Sequence, residues 1–388
     1  MILTTKQLDV FLKRRRMTLD RAEAVARPIV EDVRRRGDRA VAEYSRKFDK
    51  PSEAGALSQK ALEVAARNIE RFARLQMPKS WMKNVAPGIR AGQTIVPLES
   101  VGCYAPGGMH PLVSTVLMTV IPARVAGVEH IAVASPCASE MIRSAARLAG
   151  ASAVYPIGGV HAIAAMAYGT QTIRRVDRIV GPGGIYVTAA KKIIAAECGI
   201  DFIAGPTEIV LIAARGNAQW IAADMLAQAE HDPAAVAILL TPSRALAERV
   251  AQAFRPAFRT SAGLRQKACA TVVTRSIDEA LEISNRIAPE HLWIDDARHL
   301  RAVRNAGSIF IGPHSPVAAG DYATGPNHTL PTSGAARLRG GLSVYDFLKI
   351  VTVQQLTPQG LSRIAPAVTA LARAEGLEYH ARSIEVRG

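Results

Sequence analysis

From residue 98 onwards, short runs of β-branched and aliphatic residues alternate with stretches of helical pattern. The clearest runs are HIAVAS, ASAVYPI, RIVGP, EIVLIAA, VAILLTP and ATVVT. Strands that alternate with helices are typical of βαβ units, because the helix returns the chain to the edge where the next, parallel strand begins. This alternation therefore predicts an α/β protein built on parallel sheets.

One pattern occurs twice along the chain. IAVASPCASEMIRSAARLAG, from Ile131, and AILLTPSRALAERVAQAF, from Ala237, each contain a strand-like run, a Ser-Pro or Thr-Pro step and a helical stretch. The repetition indicates two sheets of related build. Upstream, TLDRAEAVARPIVEDVRRRGD predicts a helix that ends at Gly37, and RAVAEYSRKF predicts a second helix.

Length and composition indicate a folded chain. With 388 residues, 49% hydrophobic and 21% charged, it is long enough for two or three domains and too apolar to be disordered. Its four cysteines form no CxxC pair, which argues against a disulfide framework and fits a reducing compartment. The N-terminus lacks a signal-peptide core, and the longest apolar run, PLVSTVLMTVIPA, is too short to span a bilayer. We expect a soluble cytoplasmic protein.

The net charge of +15 raises nucleic acid as a partner. The basic residues are scattered, however, and cluster only at Lys13 to Arg16 and at Arg34 to Arg36. Aromatic residues, at 5% of the chain, offer few stacking platforms. Solvated helix faces account for most of the charge, and attraction of an anionic substrate or cofactor accounts for part of the rest.

Three glycine-rich turns run into helical stretches: YAPGG from Tyr104, GGVHAIAAMAYGT from Gly158 and GPGGIYVTAAKK from Gly181. Backbone amides at the start of a helix hold phosphate groups, so such turns are typical of nucleotide sites. Glycine turns also serve ordinary strand-to-helix loops, and no GxGxxG fingerprint follows a strand-like run. Each turn alone leaves both interpretations open, whereas three together favour a nucleotide.

The stretch LAQAEHDP places Gln228 and His231 three residues apart, on one face of a helix. Ile221 and Met225 lie under Gln228 at the same angle, so this face is the apolar one. The negative end of the helix dipole alone explains a histidine in the last turn. It does not explain an inward glutamine, because a buried amide needs hydrogen-bonding partners.

Further polar residues gather in three segments. They are Glu290 and His291 in NRIAPEHLWI, Asp321, Asn327 and His328 in AAGDYATGPNHTLPTSG, and Glu375 and His380 in ARAEGLEYHARSIEVRG. We expect Glu290 and His291 in a loop that faces a cleft, and Asp321 in a rigid loop rather than in a helix or strand. Together with Gln228 and His231, these oxygen and imidazole ligands suit a catalytic zinc ion with an open position.

On these segments the chain resembles a known family. GPTEIVLIA, QAEHDP, NRIAPEHL, GDYATGPNHTLPT, GLSVYDFLK and EGLEYH, in this order and spacing, are similar to the motifs of histidinol dehydrogenase, and the resemblance covers nearly the whole chain. It implies four ligands of one zinc ion per subunit: Gln228, His231, Asp321 and His380. It also implies that Glu290 and His291 are the acid/base pair.

The resemblance implies further contacts. The substrate would touch the zinc ligands and His291, and in addition Thr207, His328 and Glu375. Thr207 stands where the family usually has serine, a change that keeps the hydroxyl. The candidate cofactor contacts are Tyr104, His161 and Gly184.

The implied activity is the zinc-dependent, four-electron oxidation of L-histidinol to L-histidine through the aldehyde, with two NAD molecules reduced in turn, in histidine biosynthesis. Zinc would hold the amine and imidazole of the substrate. His291 would take the hydroxyl proton as hydride leaves, and Glu290 would activate the water that hydrates the aldehyde.

The implied fold is a domain-swapped homodimer of two incomplete Rossmann-like domains with small helical N- and C-terminal extensions. Residues 1–103 and 207–342 would form the first domain, with the N-terminal helices and most metal and catalytic residues. Residues 104–206 would form the nucleotide-binding domain. The extension 343–388 would cross to the partner subunit, so that one zinc site would use two chains.

The chain departs from the family pattern at three places. His161 replaces a glutamine and Gly184 an asparagine, which puts NAD affinity in question, and the region between Lys50 and Gln76 is short. A paralogue that oxidises another primary alcohol or a sulfonated diol to the acid with NAD is therefore an alternative. A zinc hydrolase that uses Glu290 and a nucleic-acid-binding protein are further alternatives from other classes.

Overall fold

Two parallel sheets form the body of the molecule, so the predicted α/β fold with parallel sheets is confirmed. The structure is a computed structural model that describes residues 2–4, 7–8, 11–12, 19–49, 58–107, 112–136, 138–231, 234–254, 256–257 and 268–387. For His231 it describes the backbone but not the side chain. Most of the region between Lys50 and the next helix lies outside the described residues.

The strands are β1 (Ile2–Leu3), β2 (Trp81–Ala86), β3 (Ile89–Pro97), β4 (Ser100–Tyr104), β5 (His130–Ala134), β6 (Ala153–Tyr155), β7 (Arg178–Val180), β8 (Gly199–Ile200), β9 (Glu208–Ile212), β10 (Val236–Thr241), β11 (Cys269–Val273), β12 (His291–Ile294), β13 (Ser308–Ile311) and β14 (Leu348–Leu356). The helices are α1 (Asp20–Arg36), α2 (Asp38–Phe48), α3 (Gln59–Gln76), α4 (Val113–Ala126), α5 (Glu140–Ala149), α6 (Gly159–Tyr168), α7 (Ile185–Ile194), α8 (Ala218–His231), α9 (Arg244–Ala253), α10 (Ile277–Ile287), α11 (Val317–Tyr322), α12 (Pro358–Ala374) and α13 (Glu378–Glu385).

The larger sheet has six parallel strands in the order β1-β11-β10-β9-β12-β13. Alternate residues of its central strands face opposite layers: Ile209 and Leu239 pack with α8 and α9, whereas Val210 and Ile238 pack with α10. Helices on both faces explain why β10 is buried along its whole length and reads as a continuous apolar run.

The smaller parallel sheet has five strands in the order β6-β5-β4-β7-β8. Apart from the edge strand β1, both sheets have one order: β4 and β9 are each flanked on one side by the next two strands of the chain and on the other side by the following two. The repeated sequence pattern corresponds to β5 with α5 and to β10 with α9, which are the second strand-helix pairs of the two sheets. The prediction of two sheets of related build is therefore confirmed.

The N-terminal helices pack against the smaller parallel sheet. α1 ends at Gly37, as predicted, where a φ of 56° favours glycine. The apolar face of α1 joins a core with α6 and α7, and α3 joins a core with α4. These helices, expected in the first domain, thus contact the helices of the five-stranded sheet. The expected boundary after Cys103 also falls inside β4, because that whole strand pairs with β5 and β7.

A third sheet, antiparallel in the order β14-β3-β2, has no counterpart among the sequence predictions. β14 is exposed along nearly its whole length and leads into α12 and α13. The side chains of Leu371, Leu377 and Tyr379 are also exposed on this C-terminal extension. Within the described ranges, no helix has the length and apolarity required to cross a bilayer.

Candidate active site

The amino ends of β9 and β12, neighbours in the six-stranded sheet, bring two polar residues together. Thr207 immediately precedes β9, and Glu290 immediately precedes β12. The Thr207 hydroxyl donates a hydrogen bond of 2.5 Å to Oε2 of Glu290, and the backbone N–H of Glu208 donates one of 2.9 Å to the same oxygen. These two donors fix the Glu290 carboxylate at the amino edge of the sheet.

His291 lies between two carboxylates. It is buried as the first residue of β12, so of the expected loop pair only Glu290 lies in the loop. Its Nδ1 is 3.6 Å from Oε2 of Glu290, and its Nε2 is 3.6 Å from Oδ1 of Asp321. Neither ring nitrogen makes a hydrogen bond to a described residue. The ring is thus available to a substrate or an ion.

Burial and charge act in opposite directions on this pair. Burial raises the pKa of Glu290, while the neighbouring His291 and the hydrogen bond from Thr207 lower it. Burial lowers the pKa of His291, but the Glu290 and Asp321 carboxylates outweigh it and leave that pKa above its usual value. An adjacent acid and base with perturbed pKa values, buried beside a cavity, are typical of a proton-transfer site.

Gln228 faces inward from α8, as the sequence predicts, and it has a partner. Its side chain is buried, and its Nε2 donates a hydrogen bond to the Thr207 hydroxyl. A chain of hydrogen bonds therefore runs from Gln228 through Thr207 to Glu290. His231 closes the same helix, also as predicted, but its side chain lies outside the described residues.

Asp321 lies in α11, not in a loop, so the predicted loop position was wrong for this residue. Pro316 precedes the helix with a φ of −66°, which suits a helix start. Gly320 allows α11 to approach β13, since a Cβ there would lie 2.5 Å from the Phe310 ring. This packing directs the Asp321 carboxylate toward His291.

Asn327 and His328 lie in the loop after α11, as expected, and hold it against α4. The Asn327 amide donates a hydrogen bond of 2.5 Å to the backbone oxygen of Met118. Nδ1 of His328 lies 2.7 Å from the backbone oxygen of Asp321, so this nitrogen carries the proton. Its Nε2 then accepts from the Thr115 hydroxyl at 3.2 Å. The site therefore lies where the two parallel sheets meet.

A cavity of about 270 Å³ opens beside these residues. Its polar lining includes His291, Asp321 and His328, and its apolar walls include Ile309, Phe310 and Leu330. A cavity of this size suits a small metabolite, which the polar groups of the lining would orient.

The two C-terminal residues of the predicted site lie on the C-terminal extension and not among the residues that line the cavity. Glu375 follows α12 and His380 lies in α13, and both are exposed. Among the described residues, no group of three or more His, Cys, Asp or Glu side chains is placed to hold a metal ion. Asp321 provides an oxygen donor beside the His291 ring, and Gln228 provides a second one beside Thr207. These donors fit zinc once nitrogen ligands are supplied.

The predicted cofactor contacts lie at the carboxyl edge of the five-stranded sheet. The hydroxyl of Tyr104, at the end of β4, accepts a hydrogen bond of 3.0 Å from the N–H of Gly159 at the start of α6. A Cβ at Gly181, after β7, would lie 2.1 Å from the Tyr104 carbonyl oxygen. Gly184 caps α7 and has open space around it. Helix N-termini thus meet where the strand order reverses, the usual nucleotide position in such sheets.

His161, the residue that replaces the family's usual glutamine, is held by the N-terminal helices. It is buried in α6, and its Nε2 lies 3.0 Å from Oδ2 of Asp49 and 3.2 Å from the Ser45 hydroxyl. Asp49 also accepts a hydrogen bond of 3.3 Å from the N–H of Gly158. The His161 ring therefore fixes α6 against the end of α2.

Sequence reasoning missed a buried ion pair that holds the turn after β7. Lys191 donates to Asp201 and, at 3.0 Å, to the backbone oxygen of Gly181. Asp201 in turn accepts a hydrogen bond of 2.8 Å from the N–H of Gly181. The spacing of a lysine in GPGGIYVTAAKK and an aspartate ten residues later was the only sequence signal for this arrangement.

Comparisons with known proteins give one consistent result. The family model for histidinol dehydrogenase matches residues 12–388. The histidinol dehydrogenase of Methanothermobacter thermautotrophicus is 45% identical over 415 residues, which cover 98% of this chain and 97% of that protein. That of Rhizobium meliloti is 43% identical over 414 residues, covering 98% and 95%.

Solved structures agree with the sequence matches. The crystal structure of histidinol dehydrogenase from Elizabethkingia anophelis superposes with a TM-score of 0.88 at 34% identity, covering 96% of this chain and 92% of that chain. A putative aldehyde dehydrogenase from Anabaena variabilis superposes with a TM-score of 0.51 at 14% identity, covering 92% and 94%. The second likeness concerns the fold alone.

Proposed function

Because the chain belongs to the histidinol dehydrogenase family, we propose that it oxidises L-histidinol to L-histidine, through the aldehyde, and passes two hydrides in turn to NAD. The observation that supports this proposal most is the buried His291 ring, held between the carboxylates of Glu290 and Asp321 beside a cavity of metabolite size. Each oxidation releases a proton with its hydride, so the reaction requires a base at the reacting carbon.

The cofactors have candidate positions. We assign one zinc ion per subunit to Gln228, His231 and Asp321 of one chain and His380 of the partner subunit. We assign the contacts with NAD to Tyr104, His161 and Gly184. When bound, zinc holds the amine and imidazole of the substrate, and NAD accepts the hydrides.

The protein's own residues handle the protons. His291 takes the proton of the carbinol hydroxyl as the first hydride leaves, and the Glu290 and Asp321 carboxylates on either side of the ring stabilise its protonated form. Glu290, fixed by Thr207 and the Glu208 amide, takes a proton from the water that adds to the aldehyde. The second hydride then leaves from the hydrated carbon. His328 and Glu375 complete the contacts with the substrate.

The assembly follows from the position of His380. We propose a homodimer in which α12 and α13, the end of the extension 343–388, reach the partner subunit, because Glu375 and His380 are exposed there beside the exposed Leu371 and Tyr379. The start of the extension stays with its own chain, since Phe347 is buried in the core and β14 pairs with β3.

In place of a first domain of residues 1–103 and 207–342, the first domain would comprise residues 207–342. The nucleotide domain would comprise residues 100–206, which include all of β4, with the N-terminal helices packed on it.

One assay tests the reaction. Purified protein with added zinc and NAD should form two NADH per L-histidinol consumed, followed by absorbance, and should produce L-histidine. A panel of other amino alcohols and a sulfonated diol serves as the comparison. Faster NADH formation with a panel member than with L-histidinol would instead identify a paralogue, and no NADH with any alcohol would overturn the assignment as a dehydrogenase.

A further inference from the structure

The six-stranded sheet has a second place where ligands are expected. Its strand order reverses between β9 and β12, because β10 and β11 lie on one side of β9 and β12 and β13 lie on the other. In open α/β sheets, ligands bind outside the carboxyl ends of the strands at such a reversal. The candidate active site occupies the opposite, amino edge of the same two strands, at Thr207 and Glu290.

A cavity of about 440 Å³ lies at this carboxyl edge, and we name it the switch-point cavity. It is lined by the loops that follow β9, β12 and β13 and by the first two turns of α8. None of its lining residues in the described part of the chain lines the active-site cavity. The volume lies within the usual range for small-molecule sites.

One carboxylate in this cavity has no partner. Asp224, on α8, makes no hydrogen bond or ion pair with any described residue, and its burial raises its pKa to about 6. The other acidic side chains of the lining are engaged. Oδ2 of Asp295 accepts from the N–H of Ala214 at 2.9 Å, while its buried Oδ1 makes no hydrogen bond and lies 3.5 Å from Nε2 of His299. Asp296 pairs with Arg298 at 2.8 Å. A partly buried, unpaired carboxylate is a site for a cation, because a cation restores the lost solvation.

Aromatic rings line the same cavity. Trp220 is half exposed and packs at 5.6 Å against the His314 ring, whereas the Trp293 indole N–H donates to the Gly312 oxygen at 3.0 Å. Both rings therefore have restrained positions. Indole faces are the strongest cation–π partners among side chains, and Ile221 and Ile277 extend the apolar wall beside them.

Two other ligand classes fit less well. Nucleotide phosphates would meet the carboxylates of Asp224, Asp295 and Asp296. The lining offsets them with two guanidinium groups, of which Arg298 already pairs with Asp296 and Arg215 is exposed. The turn after β9, AARGN, has a single glycine. A metal ion would need converging ligands, and no group of three His, Cys, Asp or Glu side chains within the described ranges provides them. An organic cation satisfies both the unpaired charge and the rings.

We propose that the switch-point cavity is a second ligand site, which binds a small primary ammonium ion that carries an aromatic or branched apolar group. The ammonium group pairs with Asp224, and the apolar group lies against Trp220 and Ile277. This site does not depend on the reaction at the amino edge. Asp224 lies four residues before Gln228 on α8, so binding is best measured directly rather than through turnover.

Calorimetric titration of the full-length protein at pH 7.5 tests the proposal, with 2-phenylethylamine as the probe. The amine should bind once per chain, and the neutral isostere 2-phenylethanol should bind at least about tenfold more weakly. Asp224→Asn, which keeps the side-chain shape, should weaken amine binding by about tenfold or more. Asp20→Asn, on the exposed start of α1, is the matched control and should leave the affinity unchanged.

A variant at the amino edge distinguishes the two sites. Asp321→Asn protein should bind the amine as wild type does. The proposal is overturned if Asp321→Asn rather than Asp224→Asn abolishes binding, if 2-phenylethanol binds as tightly as the amine, or if folded wild-type protein, checked by circular dichroism, binds no amine.

Discussion

The two parallel sheets share one order over five strands but carry their candidate sites at opposite edges. In the five-stranded sheet, Tyr104 and Gly181 lie at the carboxyl ends of β4 and β7. In the six-stranded sheet, Thr207 and Glu290 lie at the amino ends of the corresponding strands β9 and β12. Strand order alone therefore does not locate a site, and the chemistry of the side chains must be considered separately.

Helix direction gives a physical reason for the difference. The glycine-rich turns of the five-stranded sheet lead into the N-termini of α6 and α7, and the positive end of a helix dipole favours anions such as phosphate. The amino edge of the six-stranded sheet receives the C-terminus of α8, near Gln228, and this negative end favours cations. One edge thus suits a nucleotide and the other a metal ion and an ammonium substrate.

The largest expected effect comes from removing a proposed metal ligand at the amino edge. Asp321→Ala should abolish bound zinc and lower turnover by about a thousandfold or more, because the ion loses a side chain that coordinates it directly. Metal content by elemental analysis and NADH formation measure the two effects. Asp296→Ala, at a half-buried position on the carboxyl edge of the same sheet, is the control and should retain both. Normal zinc content in Asp321→Ala would contradict the assignment.

The second effect separates two roles at the amino edge. Glu290→Gln keeps the hydrogen bond from the Glu208 amide but removes a base, so oxidation of supplied aldehyde should fall by about 10² to 10⁴. The alcohol step should lose much less, because His291 serves it. Single-turnover NADH formation with each substrate gives both rates. An equal loss in both steps would assign Glu290 to a shared role.

Local patterns in the sequence were sufficient to predict the parallel framework. Runs such as VAILLTP are apolar throughout because helices cover both faces of their sheet, and the strand-helix repeat gave two related sheets. The inward position of Gln228 was also predictable, since helical spacing puts it on one face with Ile221 and Met225. A buried amide needs a partner, and the structure provides Thr207. These features depend on residues close together in the chain.

Features that depend on distant residues were not predictable in this way. Asp321 lies in a helix because Gly320 packs on Phe310, a tertiary contact without a local signal. Strand β14 pairs with β3 across a long stretch of intervening sequence, so the antiparallel sheet was missed. The contact of His161 with Asp49 was missed for the same reason, since no motif connects them.

The third prediction tests whether the amino edge is completed by a second chain. His231→Ala and His380→Ala are each expected to be inactive, and they should complement each other when their subunits exchange in a crossed dimer. A mixed dimer then has one site with both lesions and one site with neither, so random mixing restores about a quarter of wild-type activity.

Mixing His231→Ala with Asp321→Ala is the matched control, because one and the same chain supplies both of these proposed ligands to a given site. In a crossed dimer every site then retains a lesion, and no activity should return. Exchange is verified with tagged subunits. Activity that stays at the level of the parents in the first mixture, despite verified exchange, would place His380 in the same chain as its site.

The smallest effect concerns the anion-binding edge of the five-stranded sheet. Gly184 is the N-cap of α7 without a side-chain cap, its φ is −63°, and a Cβ there would meet no atom within 4 Å. Gly184→Asn should therefore fit, cap the helix and stabilise the protein by a few tenths of a kcal/mol, up to about 0.5. The added amide should also lower the KM for NAD by about two- to fivefold, as expected for one hydrogen bond of modest strength.

Asn217→Gly is the matched control for this variant. Asn217 caps the start of α8, beside the other sheet, through the N–H groups of Gln219 and Trp220, and its loss should leave the KM for NAD unchanged. A KM that is unchanged or raised in Gly184→Asn, with thermal stability increased, would mean that NAD does not approach the start of α7, and the contrast between the two edges would then rest on the metal side alone.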